Sequence, residues 1–220
     1  MIKAVIFDMD GLLVDSEPIS YAIYKSIIKA YNNKEFTLEN YAQNYSGRTG
    51  HKNMESLIKE FNLPITSEEG FEYFVKEEAN ELKKNISLKK GAKELLQYLK
   101  EKDIEVALAT SSSGDRAINI LKQNNILEYF HTFVYGSEVE KGKPNPDIFI
   151  KAKEKLGLNE EECLVLEDSE AGVMAAYHAH IKVINIPDMK EPSQECSHMM
   201  ERKYQSLLEV IDYIKEYNGD

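Results

Sequence analysis

Short apolar runs, each stopping at a polar cluster, constrain the fold of this chain more than any other feature. Ile2-Lys3-Ala4-Val5-Ile6-Phe7 stops at Asp8-Met9-Asp10-Gly11. Ile104 to Ala109 stops at Thr110-Ser111-Ser112-Ser113-Gly114, and Cys163 to Leu166 stops at Glu167-Asp168-Ser169. Two further runs lie near Thr132 to Tyr135 and Lys182 to Ile186. Brief runs rich in β-branched residues read as buried strands. Helical spacing separates them: Leu95, Leu96 and Leu99; Arg116 to Lys122; the stretch after Asn145-Pro146; Ala171 to His178; and Leu207, Val210, Ile211 and Ile214. Strands alternating with helices imply a parallel sheet with right-handed crossovers, which is an α/β fold.

One long interruption breaks this rhythm. Ser16-Glu17-Pro18 reads as a helix start, with Pro18 in the first turn. Ile19, Ile23 and Ile27, flanked by Tyr24, Ile28 and Tyr31, form the apolar face that follows. Leu38 to Tyr45, Met54 to Phe61 and Phe71 to Leu82 continue as helical patterns, broken at Gly47 and at Asn62-Leu63-Pro64. The expected division is a catalytic core over 1–15 and 87–220, with an all-helical insertion over 16–86. The Tyr and Phe residues of the insertion are expected to form its own core.

The chain of 220 residues carries a formal net charge of -11, which argues against a nucleic-acid partner or an anionic membrane surface. No stretch approaches the length of a membrane span, and the N-terminus does not resemble a signal peptide. Only Cys163 and Cys196 occur, so reduced thiols and a cytoplasmic location are expected. Cys163, starting a strand, reads as an inert small hydrophobe. A monomer is the default. An acidic protein acting on an anion must gather positive charge locally, from a metal, a lysine and backbone amides.

The strand ends supply those groups. Asp8 and Asp10 sit where open α/β sheets hold their ligands, and two close carboxylates need a cation or a shared proton. Thr110 and the following serines read either as a phosphate seat at a helix start or as a plain N-cap. Glu167 and Asp168 read either as further site carboxylates or as acids near a helix dipole. Pro144 and Pro146 stiffen the loop that presents Lys143, and Asn145 is placed to cap the helix opened by Pro146. His178 and His180 lie two apart, facing different ways on a helix, so no zinc site is expected there. His180 closes that helix and is expected to adopt a left-handed conformation.

In order and spacing, Asp8-Met9-Asp10-Gly11, Thr110, Lys143-Pro144 and Glu167-Asp168 resemble the four motifs of the haloacid dehalogenase-like hydrolase superfamily. The branch it resembles contains β-phosphoglucomutase, phosphoglycolate phosphatase and small sugar- or nucleotide-phosphate phosphatases. The likeness extends to Asp15-Ser16-Glu17-Pro18, Gly47-Arg48, Lys143 to Phe149 and Glu167 to Gly172, nearly the whole chain. It implies a Rossmann-like core and a helical cap that closes over the site. It also implies that Asp8 is the nucleophile forming an aspartyl-phosphate, and that Asp10 is the acid and base. Thr110 and Lys143, with Ser111 and Ser112, would hold the phosphoryl group. Mg2+ would be held by Asp8, the Asp10 carbonyl and Asp168, with Glu167 direct or through water. The substrate would be a small phosphorylated metabolite.

Three activities are weighed within this resemblance. A dehalogenase lacks the second aspartate, whereas Asp10 is present. Sugar phosphomutases carry a histidine where this chain has Ser20 and a cap arginine where it has Gly50; Arg48, His51 or Lys52 are the possible substitutes. A phosphatase is therefore expected ahead of a mutase. A non-catalytic module would lack one of the key groups, and none is missing. Leaving-group selection is expected from Ser20, Gly47, Arg48, Thr49, His51 and Glu78.

Overall fold

The computed structural model describes residues 1–84 and 86–219. Among them, six parallel strands form one sheet in the order β3-β2-β1-β4-β5-β6. These are β1 (Ala4–Phe7), β2 (Glu105–Thr110), β3 (Thr132–Tyr135), β4 (Cys163–Glu167), β5 (Lys182–Asn185) and β6 (Arg202–Lys203). β1 is central: Val5 stands between Val106 on one side and Leu164 on the other. Its four residues are all buried because both sheet faces are covered, as the unbroken apolar run requires.

The period-2 alternation of strands sorts the core into two layers. Val5, Phe7, Val106, Leu108, Leu164 and Leu166 point to one face. There they meet α5 (Ala92–Glu101), α6 (Gly114–Gln123) and α9 (Leu208–Asn218). Ala4, Ile6, Ala107, Ala109, Cys163 and Val165 point to the other, against α7 (Asp147–Leu156) and α8 (Glu170–His178). Small residues dominate that second face, so α7 and α8 approach the sheet closely.

Between β1 and α5 lie α1 (Glu17–Tyr31), α2 (Leu38–Asn44), α3 (Gly50–Phe61) and α4 (Ser67–Leu82), with no strand among the described residues. They enclose a separate hydrophobic cluster built on Tyr24, Phe36, Tyr41, Tyr45, Phe61 and Phe74. Tyr24 and Phe74 stack at 4.7 Å between centroids and tie α1 to α4. Each such fully buried ring is worth about 1.5–3 kcal/mol of transfer free energy. The aromatic residues of this segment are thus core, as their spacing suggests. The connections to the sheet run side by side, where Val14 bridges Leu88 antiparallel and Asp15 N donates to Ser87 O.

Two local readings change. Asn145 does not cap α7; Pro146 occupies the N-cap position, and the Asn145 amide donates to Gly142 O instead. Strand β6 has no signature in the sequence because Arg202 and Lys203 are exposed and charged, placed by backbone pairing to Ile184 and Asn185 at the sheet edge. His180 does adopt φ 59°, ending the α8 turn in the left-handed region. No described helix is long and apolar enough to cross a membrane.

Candidate active site

Asp8 follows β1 directly and is buried, with its amide donating to Leu166 O of the neighbouring strand. Lys143, from the loop before α7, reaches under it. Its Nζ donates to Asp8 Oδ1, to Glu167 Oε1 at 2.6 Å, and lies 5.0 Å from the Phe149 ring centroid. Burial pushes the Asp8 carboxyl up to about 7, even though the Lys143 ammonium pulls it down. Lys143 itself is held above its ordinary value: burial disfavours its charge, but Asp8 and Glu167 outweigh that.

Asp10 turns away from Asp8. Arg116, on the first turns of α6, grips both its carboxylate oxygens at 2.8 Å. Ser16 Oγ and Ser112 Oγ also donate to it, at 2.6 and 2.8 Å. Burial opposes its ionisation, but Arg116 and these donors prevail and hold Asp10 below the usual carboxylate range. Ser16 occupies the N-cap position of α1, yet its hydroxyl serves Asp10 rather than the helix. Arg116 also meets Glu78 of α4 at 3.0 Å, so one guanidinium joins the sheet end to the helical segment.

At the end of β4, Glu167 is fully buried and accepts from Lys143 and from the Ser169 amide and hydroxyl. Ser169 in turn caps α8 by accepting from Gly172 N, so the capping and site readings of this motif hold together. Asp168 is buried but accepts no hydrogen bond from any described residue. Burial, then Glu167 and Asp8, push its carboxyl well above the ordinary value. Gly11 adopts φ +83°, and a Cβ there would lie 2.4 Å from Asp168 Oδ2; only glycine fits.

Charge counting shows what this cluster lacks. When ionised, Asp8, Glu167 and Asp168 bring three negative charges against the one positive charge of Lys143, since Arg116 is shared between Asp10 and Glu78. The balance of minus two, with Asp168 unpartnered, is the complement of a divalent cation. Oxygen donors suit Mg2+, which keeps several waters and takes only one or two protein carboxylates. In keeping with that habit, no three His, Cys, Asp or Glu side chains among the described residues converge as a ready-made cage.

The remaining sequence-nominated residues divide. Thr110 is buried at the end of β2, its hydroxyl accepting from Ser112 N. Ser111 is exposed beside it, and α6 starts from Ser113 without a side-chain cap, leaving its first amides free. Gly47, at φ +72°, lies in the loop after α2, where an added Cβ would come 3.0 Å from Ser169 Cβ. Arg48 is folded back onto Asn44 O and Ser56 Oγ, and exposed His51 stacks on Phe71 at 3.7 Å. The residue the sequence reading missed is Arg116. Its signal was a cation one helical turn beyond Ser112, facing a strand end that carries carboxylates.

The model of the haloacid dehalogenase-like hydrolases matches residues 5–186. The chain belongs to that family. The phosphorylated carbohydrates phosphatase of Thermotoga maritima is 35% identical over 191 residues, 83% of each protein. The β-phosphoglucomutase of Bacillus subtilis is 28% identical over 198 residues, covering 84% of this chain and 83% of that one. The fold matches the crystal structure of β-phosphoglucomutase from Clostridium difficile with a TM-score of 0.82 at 21% identity, over 100% of this chain and 98% of that one. The parallel sheet and its surrounding helices are therefore those of the family.

Proposed function

We propose that the protein is a Mg2+-dependent phosphatase that hydrolyses a small phosphorylated sugar, polyol or nucleoside through an aspartyl-phosphate on Asp8. The helical segment 16–86 is its cap. The observation that carries this reading is the deficit of two positive charges around Asp8, Glu167 and Asp168, all buried at neighbouring strand ends. Bound there, Mg2+ supplies charge stabilisation for the phosphoryl group in flight. The residues that would hold it are Asp8, the Asp10 carbonyl and Asp168. Glu167, engaged by Lys143 and Ser169, would join them directly or through water.

The chain's own groups then divide the chemistry. An Asp8 carboxylate oxygen bonds to phosphorus as the ester oxygen leaves. Lys143 and Thr110, with Ser111, Ser112 and the free amides of α6, receive the phosphoryl oxygens. The leaving oxygen takes a proton from Asp10. In the second half-reaction Asp10 takes a proton from water as that water attacks phosphorus and frees Asp8. The Asp10 seen here, ionised and gripped by Arg116, matches the base of the second half; the first half requires a protonated Asp10 released from that grip.

Phosphatase is favoured over mutase by the cap. Ser20 stands where mutases of this branch have histidine. Gly50 stands where they have arginine, and even a Cβ there would lie 2.7 Å from Phe71. A soluble, cytoplasmic monomer with no nucleic-acid or membrane partner completes the proposal. The test is phosphate release from p-nitrophenyl phosphate and from a hexose 1-phosphate with a trace of its bisphosphate. EDTA should silence the enzyme and Mg2+ restore it. Full turnover after exhaustive chelation would refute the metal dependence, and accumulation of the 6-phosphate isomer without free phosphate would refute hydrolysis.

A further inference from the structure

Asp188, in the loop that follows β5, belongs to no motif of the sequence reading. Its side chain is 8% exposed. One oxygen, Oδ1, accepts from Lys89 Nζ at 2.5 Å, and the same ammonium lies 3.6 Å from Asp15. The other oxygen, Oδ2, is buried with no hydrogen-bond partner among the described residues. A buried carboxylate oxygen left bare carries an unrepaid desolvation cost, so its position calls for a donor.

That oxygen points toward the metal side of the site. An atom at the position of a Gly11 Cβ would lie 2.4 Å from Asp168 Oδ2 and 3.3 Å from Asp188 Oδ2, which puts the two oxygens within about 5.7 Å of each other. Both residues line one cleft of about 220 Å3, with Gly47 and Arg48 of the cap on its far side. Two buried carboxylates this close, one wholly unpartnered and the other half-partnered, suit a cation that carries water. We propose that Asp188 is an outer-sphere residue of the Mg2+ site: Oδ2 accepts a hydrogen bond from water on the cation that Asp168 binds, while Lys89 fixes the carboxylate through Oδ1. This rests on the metal site proposed above and extends it to a loop that the four motifs do not reach. A carboxylate so placed orients metal-bound water and offsets cation charge without occupying a coordination position.

The experiment is a melting-temperature titration with MgCl2 on chelated protein, which reads metal affinity without turnover. Asp188→Asn should bind Mg2+ about 10- to 100-fold more weakly than wild type, the usual size of an outer-shell loss. Asp15→Asn removes an equal charge from the same Lys89 cluster, yet Asp15 is 41% exposed and should stay within about threefold of wild type. Equal weakening in both variants would reduce Asp188 to a distant charge and overturn the inference, as would wild-type affinity in Asp188→Asn. Should Asp188→Asn fail to fold, Asp188→Ser decides: it removes the carboxylate in a smaller side chain and should weaken Mg2+ binding by about the same 10- to 100-fold. Wild-type affinity there overturns the inference. If wild type shows no Mg2+ response, the metal site itself falls, and Asp188 with it.

Discussion

Arg116→Met tests the electrostatic design of the site most sharply. The guanidinium is the shared partner of Asp10, at 2.8 Å on both oxygens, and of Glu78, at 3.0 Å. Side-chain exposures of 15% for Arg116 and 13% for Glu78 leave water little access to screen the loss. Deleting one partner of a buried ion pair typically costs about 3–5 kcal/mol, because the other charge stays buried without compensation. In a chain of this size each kcal/mol moves the melting temperature by about 2–4 °C, so a fall of roughly 6–20 °C is expected. Calorimetry in EDTA at pH 7 measures it without a bound cation standing in for the arginine. Glu78→Gln added to Arg116→Met should recover several degrees, since one of the two stranded carboxylates is gone. Contacting residues of this kind couple by about 0.5–3 kcal/mol. A fall below 2 °C, or a double variant no more stable than the single, would refute the account of Arg116 as the charge that joins core and cap.

Further outcomes follow from other groups. Asp8→Asn should fold and bind phosphate esters but lose about 10³-fold or more in turnover, since a neutral amide cannot attack phosphorus; near wild-type rates would remove Asp8 from the mechanism. Glu17 is 8% exposed, accepts from Tyr41 at 2.5 Å, and is pushed by burial from 4.5 up to about 7. With its folded value raised, its contribution to stability is full below about pH 4.5 and is lost as pH climbs to about 7. The loss amounts to ~3 kcal/mol at ~1.4 kcal/mol per pKa unit. Glu17→Gln should therefore melt higher than wild type at pH 7.5 and converge with it near pH 4.5; parallel melting curves across that range would show that Glu17 ionises freely.

Much of the fold was legible in the sequence because it rests on one-dimensional patterns. The apolar runs of β1 and β4, and of β2 beyond exposed Glu105, announced strands covered on both faces, and they are. Helical patterns announced α1 to α9, and polar clusters marked the ends of β1, β2 and β4. The edge strand β6 was invisible because its two residues are exposed and charged and bury no apolar side chain. Asn145 was misjudged because a cap depends on which backbone group its side chain faces, here the Gly142 carbonyl.

The sequence by itself determined which chemical groups stand at the strand ends: Asp8 and Asp10 after β1, Thr110 at the end of β2, and Glu167 and Asp168 at the end of β4. Covalent adjacency to a strand is enough to put them there, since parallel strands all end on one side. Only the tertiary structure decided how their charges are shared. Lys143 could have served either carboxylate motif and serves two at once, Asp8 and Glu167. Arg116 took Asp10 and Glu78, 38 residues of sequence away, and Lys89 took Asp188, 99 residues away. Such pairings depend on distances of a few ångströms between elements remote in the chain. In a buried site those distances decide which carboxylate is satisfied and which, like Asp168 and Asp188 Oδ2, is left without a hydrogen-bond donor among the described residues.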